Sequence, residues 1–331
     1  MKSKTLVTGG TGLVGAHLLL ELVKNDQNIT AIKRKSSNIN NVKEIFNFYE
    51  QNGNELLEKI DWVECDLNDI MLLDKVIKDC DYIFHCAGFV SFNNYFKDKM
   101  IEVNYVGTSN IIDLALKHKV KKICHVSSIA TLGDSKNIDE NSLWSWESKS
   151  GYAISKYLAE NEVWRAFSEG LEGIIVNPSV VIGPISGHST FNKILKLIRK
   201  SNGFYTKGSF GYVDARDLAI IMNQLMLKKV SNERFIVNGG IISFKDFISV
   251  FSEKIGIKPP SYVLSARSIK MIIKLTNFFL RFINPNKITS YGSVRFLNNF
   301  CKLNSSKINN YLGIKFRDIN LSIENCLNFY K

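Results

Sequence analysis

The chain has 331 residues, 45% of them hydrophobic, and 43 Lys and Arg against 31 Asp and Glu give it a net charge of +12. That length and apolar content place it among ordinary globular proteins with a full α/β core and, by size, two lobes. No charged leader with an apolar core precedes the first strand and no apolar run reaches about 18 residues, so neither secretion nor membrane spanning is expected and the expected location is cytoplasmic.

In chain order, a strand over 4 to 8 runs into Thr8-Gly9-Gly10-Thr11-Gly12-Leu13-Val14-Gly15 and then a helix over 13 to 24. In that context Gly9 permits a tight turn, Gly12 lets the backbone approach a pyrophosphate, and Gly15 lets helix and strand pack closely. The free N–H groups of the helix start favour the anion, so the turn, with Leu13 and Val14, reads as a dinucleotide cradle. The next strand, 28 to 33, ends at Lys33-Arg34-Lys35. Chains that bind the ribose 2′-hydroxyl carry an acid about 20 residues after the glycines, and none stands here. The Arg34 fork and the Lys33 charge suit a 2′-phosphate, so NADP(H) is the expected cofactor, with NAD(H) the alternative.

Asn38 to Lys59 reads as a surface insertion with a helix near 42 to 58. Strands at 61 to 65, 81 to 85, 121 to 127 and 172 to 177 then alternate with helices at 70 to 78, 98 to 118 and 151 to 168. Such alternation means βαβ units, a Rossmann-type doubly wound parallel sheet with helices on both faces. Residues 1–178, with a returning segment near 213–240 that includes the strand-like 234–238, form the expected dinucleotide-binding domain. Residues 179–212 and 241–331 form a smaller C-terminal substrate-binding lobe, where Gly183-Pro184, Gly187, Gly203, Gly208 and Gly211 interrupt the periodicity. The apolar, cation-studded stretch 266 to 283, stopped by Pro285, reads as a lobe helix packed on its neighbours rather than one lying in a membrane interface. Residues 261 to 331 hold eleven Lys and Arg against two acids, Asp318 and Glu324. That basicity reads as solvated decoration, the alternative being attraction to an anionic substrate, carrier or membrane surface. No nucleic-acid motif accompanies it. The six cysteines (Cys65, Cys80, Cys86, Cys124, Cys301, Cys326) form no C-x-x-C pair and the five histidines (His17, His85, His118, His125, His188) no metal-ligand spacing, so free thiols and no metal are expected.

Tyr152 and Lys156 stand at i and i+4, on one helix face. A phenol titrates near 10, and a neighbouring cation that lowers this value would make it a general acid/base at neutral pH. Ser127-Ser128, closing a strand 24 residues before Tyr152, bring a hydroxyl to the C-terminal edge of the sheet, where ligands bind in such folds.

With these residues the sequence resembles the extended short-chain dehydrogenase/reductase superfamily, in its epimerase/dehydratase-type branch, over nearly the whole chain. The resemblance is carried by the T-G-G-x-G-x-x-G turn, Cys65-Asp66-Leu67, His85-Cys86-Ala87-Gly88, Asn104-Tyr105-Val106-Gly107-Thr108, Ser128, Tyr152/Lys156, Asn177 to Pro184 and Gly211 to Asp217. It implies that Ser128, Tyr152 and Lys156 are catalytic and that Lys156 also holds the nicotinamide ribose. Asp66 would meet the adenine with Leu67 beside it, Cys86, Ala87, Gly88 and Asn104 would line the cofactor, and Pro178 and Ser179 would flank the nicotinamide. Ser128 is followed by Ile129-Ala130 rather than the acidic pair of dehydratases. Asn177-Pro178-Ser179-Val180 is closer to reductases than to epimerases, and the chain is most similar to dihydroflavonol-reductase-like and 3β-hydroxysteroid-dehydrogenase-like members. These expectations describe an oxidoreductase acting on a small, partly apolar carbonyl or hydroxyl compound, with Phe89, Val90, Phe92, Trp144 and Trp146 toward the substrate, and a homodimer is compatible with them. The alternatives are a nucleotide-sugar epimerase and a non-catalytic dinucleotide sensor.

Overall fold

β1 (Lys4–Thr8), β2 (Asn28–Lys33), β3 (Ile60–Glu64), β4 (Tyr82–His85), β5 (Lys122–Val126), β6 (Glu172–Pro178) and β10 (Glu233–Val237) form a seven-stranded sheet in the order β10-β6-β5-β4-β1-β2-β3. All six pairings are parallel. The structure is a computed structural model and describes residues 3–25, 27–91, 93–133, 137–147, 149–186, 203–283, 300 and 302–330, the side chains of 94 and 279–283 excepted. Phe92, Gly187, His188, Pro285, Lys287, Arg295, Cys301 and Lys331 lie outside the described residues.

Both faces of the sheet are covered, which is why its strands read as apolar runs rather than alternating ones. Val7, Phe84, Cys124 and Val176 enter one core with α1 (Leu13–Lys24) and α8 (Ala215–Leu227). Leu6, Ile83, Ile123 and Ile175 enter a second core with α4 (Ile70–Ile77), α6 (Gly107–Lys117) and α7 (Gly151–Ser168). β10 lies beside β6, as the 234–238 pattern suggested.

Two expected helices differ. The 42–58 helix is α2 (Asn40–Tyr49) followed by α3 (Gly53–Glu58), because α3 folds back so closely that a Cβ on Gly53 would stand 2.5 Å from the Phe46 carbonyl carbon. The 98–118 helix is α5 (Lys97–Met100), a π-helical turn over Ile101–Val106, and α6. Such a turn widens the helix by a residue and often marks a functional position. Here it carries Asn104.

Beyond β6, β7 (Val180–Ile182), β9 (Ser209–Asp214) and β11 (Gly240–Ser243) make a small mixed sheet, and β8 (Phe204–Tyr205) pairs with β12 (Tyr262–Val263). α9 (Phe244–Ile255) and α12 (Ile319–Phe329) pack on the small sheet through Phe210, Tyr212, Phe247, Phe251 and Ile323. α11 (Ser306–Leu312) buries Ile308 beside β10. α10 (Ala266–Ile283) forms over the expected span and buries Ile269, whereas Met271, Leu275 and Phe278 are more than half exposed. Its apolar stripe is wider than the surface it packs on. No helix among the described residues is long and apolar enough to cross a membrane.

Candidate active site

The chain leaves β1, fills β2 and β3 on one side, then returns to β4 on the other, so the C-terminal ends of β1 and β4 open a crevice at the reversal of strand order. Gly9 turns there with φ +67°, and a Cβ on it would meet the Ala87 backbone at 2.6 Å. Gly15 is equally constrained, because its Cβ would collide with the Gly9 carbonyl. Thr8 ties the two strand ends together: its carbonyl accepts from Cys86 N at 3.3 Å and its Oγ1 from Ala87 N at 3.2 Å.

Gly12 is exposed and starts α1 with no side-chain cap and no acid in the first turn. By contrast α4, α7, α8, α9 and α12 all begin on an Asp or Ser side chain that accepts a backbone N–H. An uncapped helix start with a glycine face open to the crevice fits a dinucleotide pyrophosphate. Leu13 and Val14 are half-buried beside it, and Gly183 of the loop after β7 comes close enough that its Cβ would lie 3.2 Å from Leu13 Cδ1.

At the end of β2, Arg34 is exposed in a turn closed by Ser37 N to the Arg34 carbonyl at 2.9 Å. Lys33 Nζ stands 3.6 Å from the Glu64 carboxylate on β3. Asp66 is exposed and its carboxylate accepts from Asn68 N at 3.0 Å, whereas Leu67 is buried, and a Cβ on Gly107 would approach its Cδ1 to 2.8 Å. Leu67 therefore packs the sheet edge onto α6.

β4 and β5 bring the chemistry to the other side. Lys156, 5% exposed on α7, donates Nζ to the Val126 carbonyl at 2.7 Å. Burial lowers its pKa to about 8, with Cys86 and Glu160 acting in the opposite sense. Burial pushes the neighbouring Cys86 thiol up to about 12, which leaves it an inert hydrophobe. A Cβ on Gly88 would lie 3.5 Å from both Lys156 Nζ and Asn104 Oδ1. Asn104 is a buried clamp: its Oδ1 accepts from Phe89 N at 2.6 Å, and its Nδ2 donates to the Phe89 carbonyl at 3.0 Å and to Ser155 Oγ at 2.8 Å. Ser155 in turn donates to the Tyr152 carbonyl at 2.8 Å, so the loop after β4 is fastened to the first turn of α7.

The Tyr152 phenol lies beside the Ser128 hydroxyl. Burial raises its pKa above the ordinary value and the Ser128 hydroxyl pulls it partway back. The sequence predicts Lys156 as the group that lowers Tyr152. In the structure Lys156 Nζ is directed to the Val126 carbonyl, and burial leaves the phenol above its ordinary value. Pro178 and Ser179, both buried, close the floor at the end of β6, where Ser179 N donates to the Val237 carbonyl at 3.1 Å.

Of the residues expected toward the substrate, Trp144 stacks on Tyr157 with centroids 4.2 Å apart and makes an edge contact with Trp146, itself 61% exposed. Phe89 meets Phe96 edge to face at 5.8 Å, and Val90 is 57% exposed. Glu160, Arg234, Thr131 and the side chain of Asn177, which form a buried polar cluster beneath Ser128, are absent from the sequence expectations. The one available signal was an acid four residues after Lys156 on a face shared with Ala159, Val163 and Ala166.

The sequence profile of the NAD-dependent epimerase/dehydratase family matches residues 5–237. The chain belongs to that family. It is an NAD(P)-dependent oxidoreductase of the extended short-chain dehydrogenase/reductase type. A putative dihydroflavonol 4-reductase of Synechocystis sp. is 30% identical over 264 residues, covering 77% of this chain and 73% of its own length. Sterol demethylase protein B of Methylococcus capsulatus is 25% identical over 317 residues, 94% of this chain and 93% of that one. The crystal structure of gox2253 superposes with TM-score 0.80 at 24% identity, covering 99% and 98% of the two chains, and so shares the fold. The family's nicotinamide dinucleotide fits the crevice between β1 and β4.

Proposed function

We propose that the chain reduces a ketone or aldehyde on a small, partly apolar substrate at the expense of NADPH. The observation that carries this reading is the convergence of the Ser128 hydroxyl and the Tyr152 phenol at the sheet edge, with Lys156 one helical turn further along α7. When bound, the nicotinamide supplies or accepts the hydride. Tyr152 gives its phenolic proton to the carbonyl oxygen, and Ser128 donates a hydrogen bond that orients that oxygen. Lys156 holds the ribose and keeps positive charge beside the phenol. The half-buried rings of Phe89 and Trp144, and the names of relatives such as a dihydroflavonol 4-reductase and cinnamoyl-CoA reductases, support an aromatic or otherwise flat apolar substrate body.

The preference for NADPH rests on Arg34. Lys33 already faces Glu64, so the exposed guanidinium at the turn after β2 is the fork suited to a 2′-phosphate. A panel of aryl and alkyl ketones and aldehydes, assayed by absorbance of the reduced cofactor with NADPH and NADH in parallel, tests both parts. Net consumption of NADPH with at least one carbonyl is expected. Tightly retained cofactor with no net consumption, but interconversion of a nucleotide sugar, would replace this reading with epimerisation.

A further inference from the structure

Two serines stand side by side at the end of β5, and Ser128 is the one beside the phenol, its hydroxyl also accepting from Ala130 N at 3.1 Å. Ser127 continues the sheet, donating its N–H to the Val176 carbonyl at 2.8 Å, and its hydroxyl turns inward to Glu160 Oε2 at 2.5 Å. The same carboxylate oxygen accepts from Thr131 Oγ1 at 2.8 Å and from Asn177 Nδ2 at 2.9 Å. Asn177 also donates to the Ser128 carbonyl at 3.1 Å and to Thr131 Oγ1 at 3.0 Å. Oε1, the other oxygen, takes Arg234 Nη1 at 3.1 Å and Trp164 Nε1 at 3.4 Å. Arg234 is itself fixed by the Glu140 carbonyl at 2.6 Å, just upstream of Trp144.

Glu160 is 2% exposed and fully hydrogen-bonded, as a buried carboxylate must be. Its position is also specific: Tyr152, Lys156 and Glu160 follow one another at i, i+4 and i+8 on α7, so the acid is rigidly tied to the acid/base pair. We propose that Glu160 is a positioning residue, whose carboxylate anchors Ser127, Thr131 and Asn177 and thereby holds the neighbouring Ser128 hydroxyl against Tyr152. The charge does what a buried apolar residue of the same size could not, since it selects which of two adjacent serines faces the substrate. This inference rests on the catalytic reading of Ser128 and Tyr152.

The test uses the full chain and Glu160→Gln, which keeps the volume and replaces one acceptor oxygen by a donor facing donors. Two readouts separate the possibilities. In the protein labelled at tyrosine 13Cζ, with the Tyr152 resonance identified by its loss in Tyr152→Phe, Glu160→Gln should shift that resonance as Ser128→Ala does. In turnover, Glu160→Gln should lower kcat by about 10- to 100-fold, as small misplacements do, with the Kd for NADPH nearly unchanged. In a Ser128→Ala background it should add little, because the two changes remove the same contact. An unmoved Tyr152 resonance, or losses in kcat that multiply independently, overturns the proposal and leaves Glu160 a purely structural ion-pair partner. Should Glu160→Gln fail to fold, Ser127→Ala removes a single side-chain donor to the carboxylate and is read by the same resonance. If the wild-type chain reduces no carbonyl at all, the catalytic reading fails, while the resonance still decides the part played by Glu160.

Discussion

Lys156→Met should make the chain inactive and, in the absence of cofactor at neutral pH, more stable. The ammonium is buried, and its pKa falls from 10.5 to about 8, chiefly through loss of water. A folded-state pKa below the unfolded one means that the fold binds this proton less well than the open chain. The penalty is complete below pH 8, where both states are protonated, and fades as pH rises toward 10.5. At about 1.4 kcal/mol per unit it amounts to about 3 kcal/mol. Methionine keeps an unbranched stem of similar length without the charge but forfeits the bond to the Val126 carbonyl, worth about 1 kcal/mol. The net expectation is a gain of about 2 kcal/mol at pH 7 that turns into a loss of about 1 kcal/mol above pH 10.5. Urea unfolding of both proteins at pH 7 and at the alkaline end of the stable range measures this, the wild-type comparison cancelling every other titrating group. A variant less stable than wild type at pH 7, or a difference that does not change with pH, would refute the argument.

The other expectations concern the reaction. Tyr152→Phe should lose about 100-fold or more in kcat while cofactor affinity, followed by fluorescence titration, stays near the wild-type value; near-normal turnover would remove the phenol from the mechanism. Ser128→Ala should lower kcat by about 100-fold, and Ser127→Ala should cost less turnover but about 1–3 kcal/mol of stability, since it strips a donor from Glu160. If Ser127→Ala proves the more damaging to kcat, the facing hydroxyl has been misassigned. Arg34→Ala should weaken NADPH selectively, and equal weakening of NADH would mean that the guanidinium does not meet the 2′-phosphate.

The sheet was legible because its central strands are buried on both faces. Leu6 and Val7, Ile83 and Phe84, and Ile123 and Cys124 enter opposite cores as adjacent residues, so no polar position interrupts the run. The same logic fails beyond β6. β7 has three residues and β8 and β12 two each, too short for any period to register; β7 pairs with β9, and β8 with β12. The insertion was read as one helix because its apolar spacing continues across the break. What divides it is the close return of α3 onto α2, which Gly53 alone permits, and a glycine inside a helical pattern does not announce a fold-back.

The site divides along the same line, between chemistry that is local and chemistry that is not. Tyr152 and Lys156 are neighbours on one helix, so their spacing carries their geometry, and Gly12 and Gly15 belong to a turn whose constraints are local, although the constraint on Gly9 comes from Ala87 after β4. Their electrostatics were not legible, because burial and hydrogen bonding depend on partners from other strands: Val126 takes the ammonium, and Ser128 takes the phenol. The choice between Ser127 and Ser128 is the clearest case. In sequence the two hydroxyls are equivalent, and alternation along β5 says only that they point to opposite faces. Which face is interior is decided by Glu160, 33 residues away from Ser127, together with Asn177 on β6 and Arg234 on β10. A hydroxyl donating to a buried carboxylate has a bond that would be costly to abandon, so Ser127 cannot swing out to compete for the substrate. The hydroxyl left over is the one aligned with Tyr152, and its selection is therefore a property of the fold rather than of the serine pair.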